Sequence, residues 1–355
     1  MGLSWIRSCL FKMEERQVFG LDIGSSSVNA VQLQQRKRGG GWQVKAANRV
    51  KIAPYQEQNK DLHTVSAINE CIKSRGFQKR VAVCGLSGPE VAVRDFRFPL
   101  MAPDEMEPAV LFEATQVCPF NDDDITVDYQ ILSTENNNAS GVLVAATNKL
   151  ISEKMYLARQ ASVECVLMDA EGLALLNCFS ECEKEGLEKT TAILNIGTSY
   201  ATLAIMSGQG TLTKPFIRDV PYAGDDIVKA IADEQNMPTE DVKAALFGGT
   251  ENSKIQSLQD SLERACDKLI VDVTDTLRFY TAQEKSSPVE RIFVCGGYAL
   301  VKGLVGFLDK HIPAKAVLWN PFEKIGCAAG KGCEEILNKE GPAMAIAAGL
   351  AMRSI

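Results

Sequence analysis

The feature that most constrains this chain is a unit that occurs twice. An apolar strand, a polar residue, Ile-Gly, a run of small hydroxyl residues and a second apolar strand appear at Val18 to Leu33 (VFGLDIGSSSVNAVQL). They return at Thr191 to Met206 (TAILNIGTSYATLAIM). On both sides of each glycine corner the apolar residues alternate at period two, the pattern of a β-hairpin. Asn195-Ile196-Gly197-Thr198-Ser199 stands where Asp22-Ile23-Gly24-Ser25-Ser26 stood. Repetition of a whole unit predicts a duplicated architecture. Two such corners facing each other across a cleft would clamp a triphosphate. Small residues let backbone N–H groups approach an anion closely, and Asp22 is the carboxylate placed to hold a hydrated divalent cation.

A chain of 355 residues exceeds what one hydrophobic core usually covers, so two lobes are expected. A net charge of −7 and a pI near 5.2 argue against general nucleic-acid or anionic-membrane binding. The eleven cysteines are scattered singly apart from Cys178 and Cys182, and the only histidines are His63 and His311. That usage reads as reduced thiols in a cytosolic compartment, not as a zinc site. No apolar run reaches the roughly 18 residues a membrane span requires. The leader 1–17 sets Leu3, Ile6, Leu10 and Met13 on one helical face beside Trp5. It reads either as a short interfacial helix or as a frayed or core-docked leader.

After the first hairpin comes a polar turn, Arg36 to Gly41, and a third strand, Trp42 to Ile52. A helix from Asp61 to Ser74 with Leu62, Val65, Ile68 and Ile72 inward follows, then a buried strand, Val81 to Leu86. This is a ribonuclease-H-like half. From Ser87 the pattern changes to a β-α-β-β-α block: a strand ending at Pro99, a helix from Pro103 with an acidic first turn, strands Thr126 to Leu132 and Gly141 to Ala146, and a helix Ser152 to Ser162. It reads as an inserted subdomain. Asp169 to Phe179 is expected to be the helix that closes the first lobe. Beyond the second hairpin, Asp226 to Ala232, Thr239 to Leu246 and a long segment Leu258 to Ala282 are expected to be helical. In the last, Leu262, Leu269, Val273, Thr276, Leu277 and Tyr280 face inward. Arg291 to Cys295 is a buried strand entering Gly296-Gly297-Tyr298, where two glycines allow close approach to an adenosine or α-phosphate. Pro342 to Met352 is a helix of small residues able to pack tightly.

Taken in order, the phosphate hairpin, its repeat and the strand-Gly-Gly turn resemble the actin-like ATPase superfamily, over essentially the whole chain beyond residue 17. Within it the chain is similar to the PilM family, the actin-like cytoplasmic components of type IV pilus assembly. The matching segments are GLDIGSSSVNAVQL, the insertion VAVRDFRFPLMAPDEMEPAVLFEATQVCPFNDDDITVDYQIL, MDAEGLALL, CGGYALVKGLVGFL with Asn320-Pro321-Phe322, and GPAMAIAAGLAMR. The insertion resembles one shared with the division protein FtsA, but its Arg94, Pro99, Glu113-Ala114 and Pro119-Phe120 pattern is closer to PilM.

The resemblance implies an α/β, bilobed, actin-like ATPase fold with an FtsA/PilM-type inserted subdomain. Residues 18–86 and 166–190 would form the first-lobe core, 87–165 the insertion, 191–225 and 290–355 the second-lobe core, and 226–289 a helical subdomain. It implies ATP and Mg²⁺ in the cleft, held by Gly24, Ser25, Ser26, Ser27, Asn29, Asn195, Gly197, Thr198, Ser199, Gly224, Gly296, Gly297 and Tyr298, with Asp22 on the metal through water. It implies a groove beside the insertion for the cytoplasmic tail of a PilN-like inner-membrane protein, contacts with pilus motor ATPases, self-association, and a cytoplasmic location at the inner membrane through partners.

Three positions depart from the family pattern. Asn29 replaces a lysine, so a positive charge near the phosphates is missing. Asn195 replaces an aspartate and can neither carry charge nor act as a base. Val242-Lys243 and Leu246 fall where an Ala-Glu and a lysine usually reach the adenosine. A nucleotide-gated scaffold with little turnover therefore ranks first, a nucleotide-free interaction module second, and a robust ATPase or sugar kinase last. Glu171 is the remaining candidate to orient a water, against its plainer reading as a helix-start residue. An FtsA-like role would call for a C-terminal amphipathic helix beyond Ala351-Met352-Arg353-Ser354-Ile355.

Overall fold

The computed structural model describes residues 18–36, 40–54, 56–73, 76–77, 80–120, 124–183, 189–208, 214–248, 252–283 and 287–353. The leader 1–17 and the middle of the polar turn after the first hairpin lie outside the described residues.

Strands β1 (Phe19–Ile23), β2 (Ser27–Gln35) and β3 (Trp42–Lys51) form an antiparallel meander. From β1 the sheet continues in parallel through β4 (Val81–Leu86) to β8 (Glu164–Ala170). The second sheet is built from β9 (Thr191–Ile196), β10 (Ala201–Met206), β11 (Phe216–Val220), β12 (Arg291–Cys295) and β13 (Lys315–Leu318), in the order β11-β10-β9-β12-β13. Apart from a short β14 (Gly326–Cys327) edging β3, both sheets share one order and the same pairing senses, antiparallel on one side of the central strand and parallel on the other. The duplication extends to register. Asp22 lies opposite Asn29 across the first hairpin, and Asn195 lies opposite Thr202 across the second.

Helix α1 (Lys60–Lys73) covers one face of the first sheet with Thr64, Ala67, Ile68, Cys71 and Ile72 buried. Leu62, expected inward, is 73% exposed because it falls off that i, i+3, i+4 stripe. Strands β5 (Val91–Pro99), β6 (Ile125–Glu135) and β7 (Asn138–Thr147) make a third sheet, β5-β7-β6, which packs with α2 (Pro103–Val117) around Phe96, Met106, Val110 and Leu143. Helix α3 (Asn148–Gln160), grouped with the insertion on sequence, sends Leu157 and Ala158 into the core that holds Phe19 and Leu21 of the first sheet.

Helices α4 (Glu171–Cys182) and α11 (Ala345–Ala351) are exchanged between the sheets. Helix α4, from the first half, lies against β10, whereas α11, from the second half, lies across β1, β2 and β4. Together they form a shared core with Val31, Val83, Leu175, Ile193, Ala204, Trp319 and Leu350. The second sheet's other face carries α5 (Gly224–Gln235), α6 (Thr239–Gly248), α7 (Asn252–Ala265), α8 (Asp267–Ala282) and α9 (Leu304–His311). The segment expected as one long helix is two, broken at Cys266. The break lets Leu262 and Leu269 enter one core, and the six residues expected to face inward are all buried.

Asp169 is expected in a helix, but residues 164–170 are β8 and the helix begins at Glu171. No sequence expectation covers β11, β13, α9 or α10 (Lys331–Glu340). Short strands of four or five residues carry too little alternation to mark themselves, and β8 is apolar without a period. Pro342 to Met344 form a 3₁₀ turn ahead of α11.

The exchange depends on missing side chains. A Cβ on Gly20 would overlap the Ala347 carbonyl, and one on Gly349 would overlap the Ala174 carbonyl. Gly20→Ala and Gly349→Ala are each expected to lower unfolding stability by about 3 kcal/mol, as overpacking against backbone does. Gly306→Ala, in open space on α9, is expected to raise it by about 0.5–1 kcal/mol. Urea unfolding of the three variants measures the contrast, and equal effects would refute it.

Candidate functional site

Each hairpin corner closes with the same bond. Gly24 N–H donates to the Ser27 carbonyl at 3.0 Å, and Gly197 N–H donates to the Tyr200 carbonyl at 3.1 Å. These two amides are therefore spent on the turn. The corners meet directly: Ser26 Oγ and Thr198 Oγ1 are 2.6 Å apart, and Ser199 Oγ donates to Ser25 Oγ at 2.9 Å. The facing arrangement expected from the repeat is thus present, with the two loops closed on one another.

Beneath the first corner Asp22 is buried, and Asn29 Nδ2 donates to its Oδ2 at 2.7 Å. Burial raises the Asp22 carboxyl above its ordinary value, against the pull of Asn29 and of the Lys154 and Arg49 charges. Asn29 Oδ1 is buried and has no hydrogen-bond partner among the described residues. Lys154, on α3, donates to the Ile23 carbonyl at 2.6 Å. Nothing in the sequence marked this lysine, which arrives from 131 positions away.

Glu171 is the first residue of α4, but it is buried, not at the surface. Burial, with Asp22 and Asp219 nearby, pushes its carboxyl up to about 8, despite Lys154 and a bond from Ser87. Asp219 of β11 is held by Thr202 Oγ1 at 2.7 Å and by Gly88 N–H at 3.1 Å. Asp169 pairs with Arg353 at 3.1 Å, and burial still lifts it to about 6.

Under the second corner, Gly224 N–H and Asp225 N–H at the start of α5 donate to the Gly197 and Thr198 carbonyls at 3.1 and 2.8 Å. Gly224 has no room for a Cβ because the buried Tyr298 ring lies on it. Gly296, at φ +93°, packs its Cα where a Cβ would come within 2.7 Å of Asn195 Oδ1. Asn195 therefore sits below the Gly296-Gly297 turn. Gly297 faces Arg49 of β3 across the cleft. Leu246 packs on the second-lobe core, and Lys243 pairs with Asp225, the residue after Gly224, at 3.2 Å.

A groove of about 260 Å³ opens where the insertion meets both lobes, lined among others by Gly88, Val93, Arg94, Pro119, Ile217 and Arg218. Glu171 and Asp219 form part of its wall as well as of the cleft. Among the described residues no group of three or more His, Cys, Asp or Glu could hold a metal ion, and no helix is long and apolar enough to cross a membrane.

The raised Glu171 value makes stability pH-dependent. The folded state keeps this proton up to about pH 8, while the unfolded chain releases it near 4.5, so the associated stability is present at low pH and lost as pH rises through that window. Glu171→Gln should gain on wild type with rising pH, by on the order of 2–4 kcal/mol at pH 8. Urea unfolding at pH 5, 6.5 and 8 tests this, and parallel curves would mean an ordinary carboxylate.

Comparison with known proteins follows the same lines. Residues 20–355 match the family described as type IV pilus assembly protein PilM. A chain of a PilM–PilN type IV pilus biogenesis complex superposes with a TM-score of 0.81 at 23% identity, over 96% of this chain and 99% of that one. A diol dehydratase-reactivating factor in nucleotide-free form follows at 0.55 and 10% identity, over 94% and 99%. The ethanolamine utilization protein EutJ from Carboxydothermus hydrogenoformans follows at 0.53 and 11%, over 98% and 93%. With its duplicated sheets, facing corners and third sheet, this chain has the actin-like ATPase fold and belongs to the PilM family of type IV pilus assembly proteins.

Proposed function

We propose that this protein is a nucleotide-responsive scaffold of a type IV pilus or related secretion platform. In this reading ATP with Mg²⁺ enters between the hairpins, and lobe closure sets affinity for the cytoplasmic tail of a PilN-like inner-membrane protein. The observation that supports it most is the matched pair of corners in direct hydroxyl contact. The residues fit such a ligand. Asn29 Oδ1 is a buried acceptor suited to a metal-bound water. Asp22 would hold the Mg²⁺, whose chemistry is to neutralise phosphate charge. Ser25 to Ser27, Thr198 and Ser199 would take the phosphates, with Gly296 and Gly297 at the α-phosphate. Gly224, Tyr298 and Lys243 would flank the adenosine. Because the hydroxyl pairs occupy the space between the loops, nucleotide entry and lobe opening are one event.

The tail would lie extended in the groove beside the insertion, where apolar walls alternate with Arg94 and Arg218. Attachment to the cytoplasmic face of the inner membrane would come through that partner, with motor ATPases or further copies docking on the assembly. Turnover would be slow, because Asn195 carries no charge and Glu171 holds its proton at neutral pH. The resident Lys154 charge, already bonded to the Ile23 carbonyl beneath the first corner, favours a second reading, a nucleotide-free interaction module with the same partner.

Titration of the full chain with fluorescent ATP and Mg²⁺ separates these readings. Saturable binding is expected, with Asp22→Ala losing the Mg²⁺ dependence and at least tenfold in affinity. Absence of binding at millimolar nucleotide leaves the interaction module, and phosphate release at tens per second would overturn the scaffold. A tail peptide of the partner should bind with different affinity in the presence of ATP; identical affinities would refute gating.

A further inference from the structure

Position 29 is an asparagine, and the second strand of the first hairpin brings no cation to the cleft. The neighbouring strand carries one. Arg49 lies directly opposite Asn29 across β2 and β3, and β2 in turn sets Asn29 opposite Asp22. The side chain of Arg49 is 15% exposed and crosses from the first lobe towards the second. Its Nη2 stands 3.3 Å from where a Cβ on Gly297 would be. Its Nη1 pairs with Glu340 Oε2 at 2.7 Å. Glu340 ends α10, just before Pro342, whose carbonyl accepts the Gly296 N–H at 2.9 Å.

Two unmet polar atoms sit in this row. Arg49 Nε is a buried donor and Asn29 Oδ1 a buried acceptor, each without a hydrogen-bond partner among the described residues. Leaving such atoms unpaired is costly, and the usual remedy is a ligand or a water. A guanidinium with one nitrogen free and one held by a 42% exposed carboxylate can trade that carboxylate for a phosphate, keeping the fork geometry that phosphate oxygens match.

We infer that Arg49 is the phosphate-binding cation of this cleft. Its charge stands one strand over from Asn29 and receives the phosphate chain of a nucleoside di- or triphosphate beside Gly297, with Glu340 as the counter-ion that phosphate displaces. The inference rests on the proposed nucleotide site. It adds a direction to the binding event: taking up the phosphate breaks a bridge between β3 and α10 at the moment the corner hydroxyls part.

The test is equilibrium binding of fluorescent ADP and ATP to full-length wild type, Arg49→Ala, Arg49→Lys and Glu340→Gln, with thermal unfolding of each. The expected result is a loss of tenfold or more for Arg49→Ala, partial recovery in Arg49→Lys, and binding a few-fold tighter than wild type in Glu340→Gln. A purely structural ion pair would instead give Arg49→Ala and Glu340→Gln the same loss of stability and no opposite effects on affinity, and that outcome overturns the assignment. Inorganic tripolyphosphate as competitor separates sources: competition on wild type that vanishes in Arg49→Ala supports a phosphate contact, whereas competition unchanged by the substitution overturns it. If wild type binds nucleotide and Arg49→Ala binds it equally well, Arg49 alone is misassigned. If wild type binds none, the nucleotide site and this inference fall together.

Discussion

Two backbone approaches hold the lobes in their relation to each other. Gly20 in the central strand of the first sheet lies against α11, and Gly349 of α11 lies against α4. Helices usually stand off a neighbour by the width of their side chains, about 8–10 Å between axes. Here alanine and glycine bring the backbones together, and Ile346 and Leu350 fill the remaining space in full burial. Because α4 comes from the first half of the chain and α11 from the second, neither half can complete its core alone. The distance between the sheets is set by this exchange, and the meeting of the corners at the ends of β1 and β9 is its consequence.

The same frame ties the cleft to the groove beside the insertion. Asp219 accepts from Thr202 in the second hairpin and from Gly88 at the groove's mouth. The Tyr200 ring, at the end of the second corner, stands 3.3 Å from where a Cβ on Gly88 would be. β9, β10 and β11 are joined by continuous ladders, so they move as a unit. A displacement that parts Ser26 from Thr198 therefore loads the Asp219–Gly88 bond as well. The two sites share a wall, and no chain of intermediate residues is needed to connect them.

Much of this was legible in the sequence because the duplication is local. Each hairpin carries its own alternation, its own glycine corner and its own hydroxyls, and a repeat needs no tertiary knowledge to be seen. The small-residue run at the C-terminus announced close packing, though not its partner. What escaped was non-local. Lys154, Arg49, Asp219 and Glu340 belong to ordinary-looking helices and strands, and only the fold brings them to the corners. Strand β8 escaped because a strand paired in parallel and covered by helices shows no polar alternation. Glu171 was visible as a helix-start residue, but its burial depends on α11 and the second sheet closing over it.

Electrostatics decides what the cleft can do with these parts. Asp22, Glu171 and Asp219 converge in a buried space, and for each the desolvation of the charged form outweighs the attraction of nearby cations and hydrogen bonds. Crowding of like charge in low dielectric favours the protonated forms, and Glu171, pushed up to about 8, holds its proton at neutral pH. Holding that proton would remove negative charge from the path of a phosphate chain bound as proposed, and so would favour binding. It also leaves Glu171 with no free lone pair basic enough to draw a proton from water, the step hydrolysis would need. A lysine at position 29 would have pulled Asp22 and its neighbours back towards the ionised form. With Asn29 there and the nearest cations set on α3 and β3, a nucleotide held as proposed would be bound more readily than turned over.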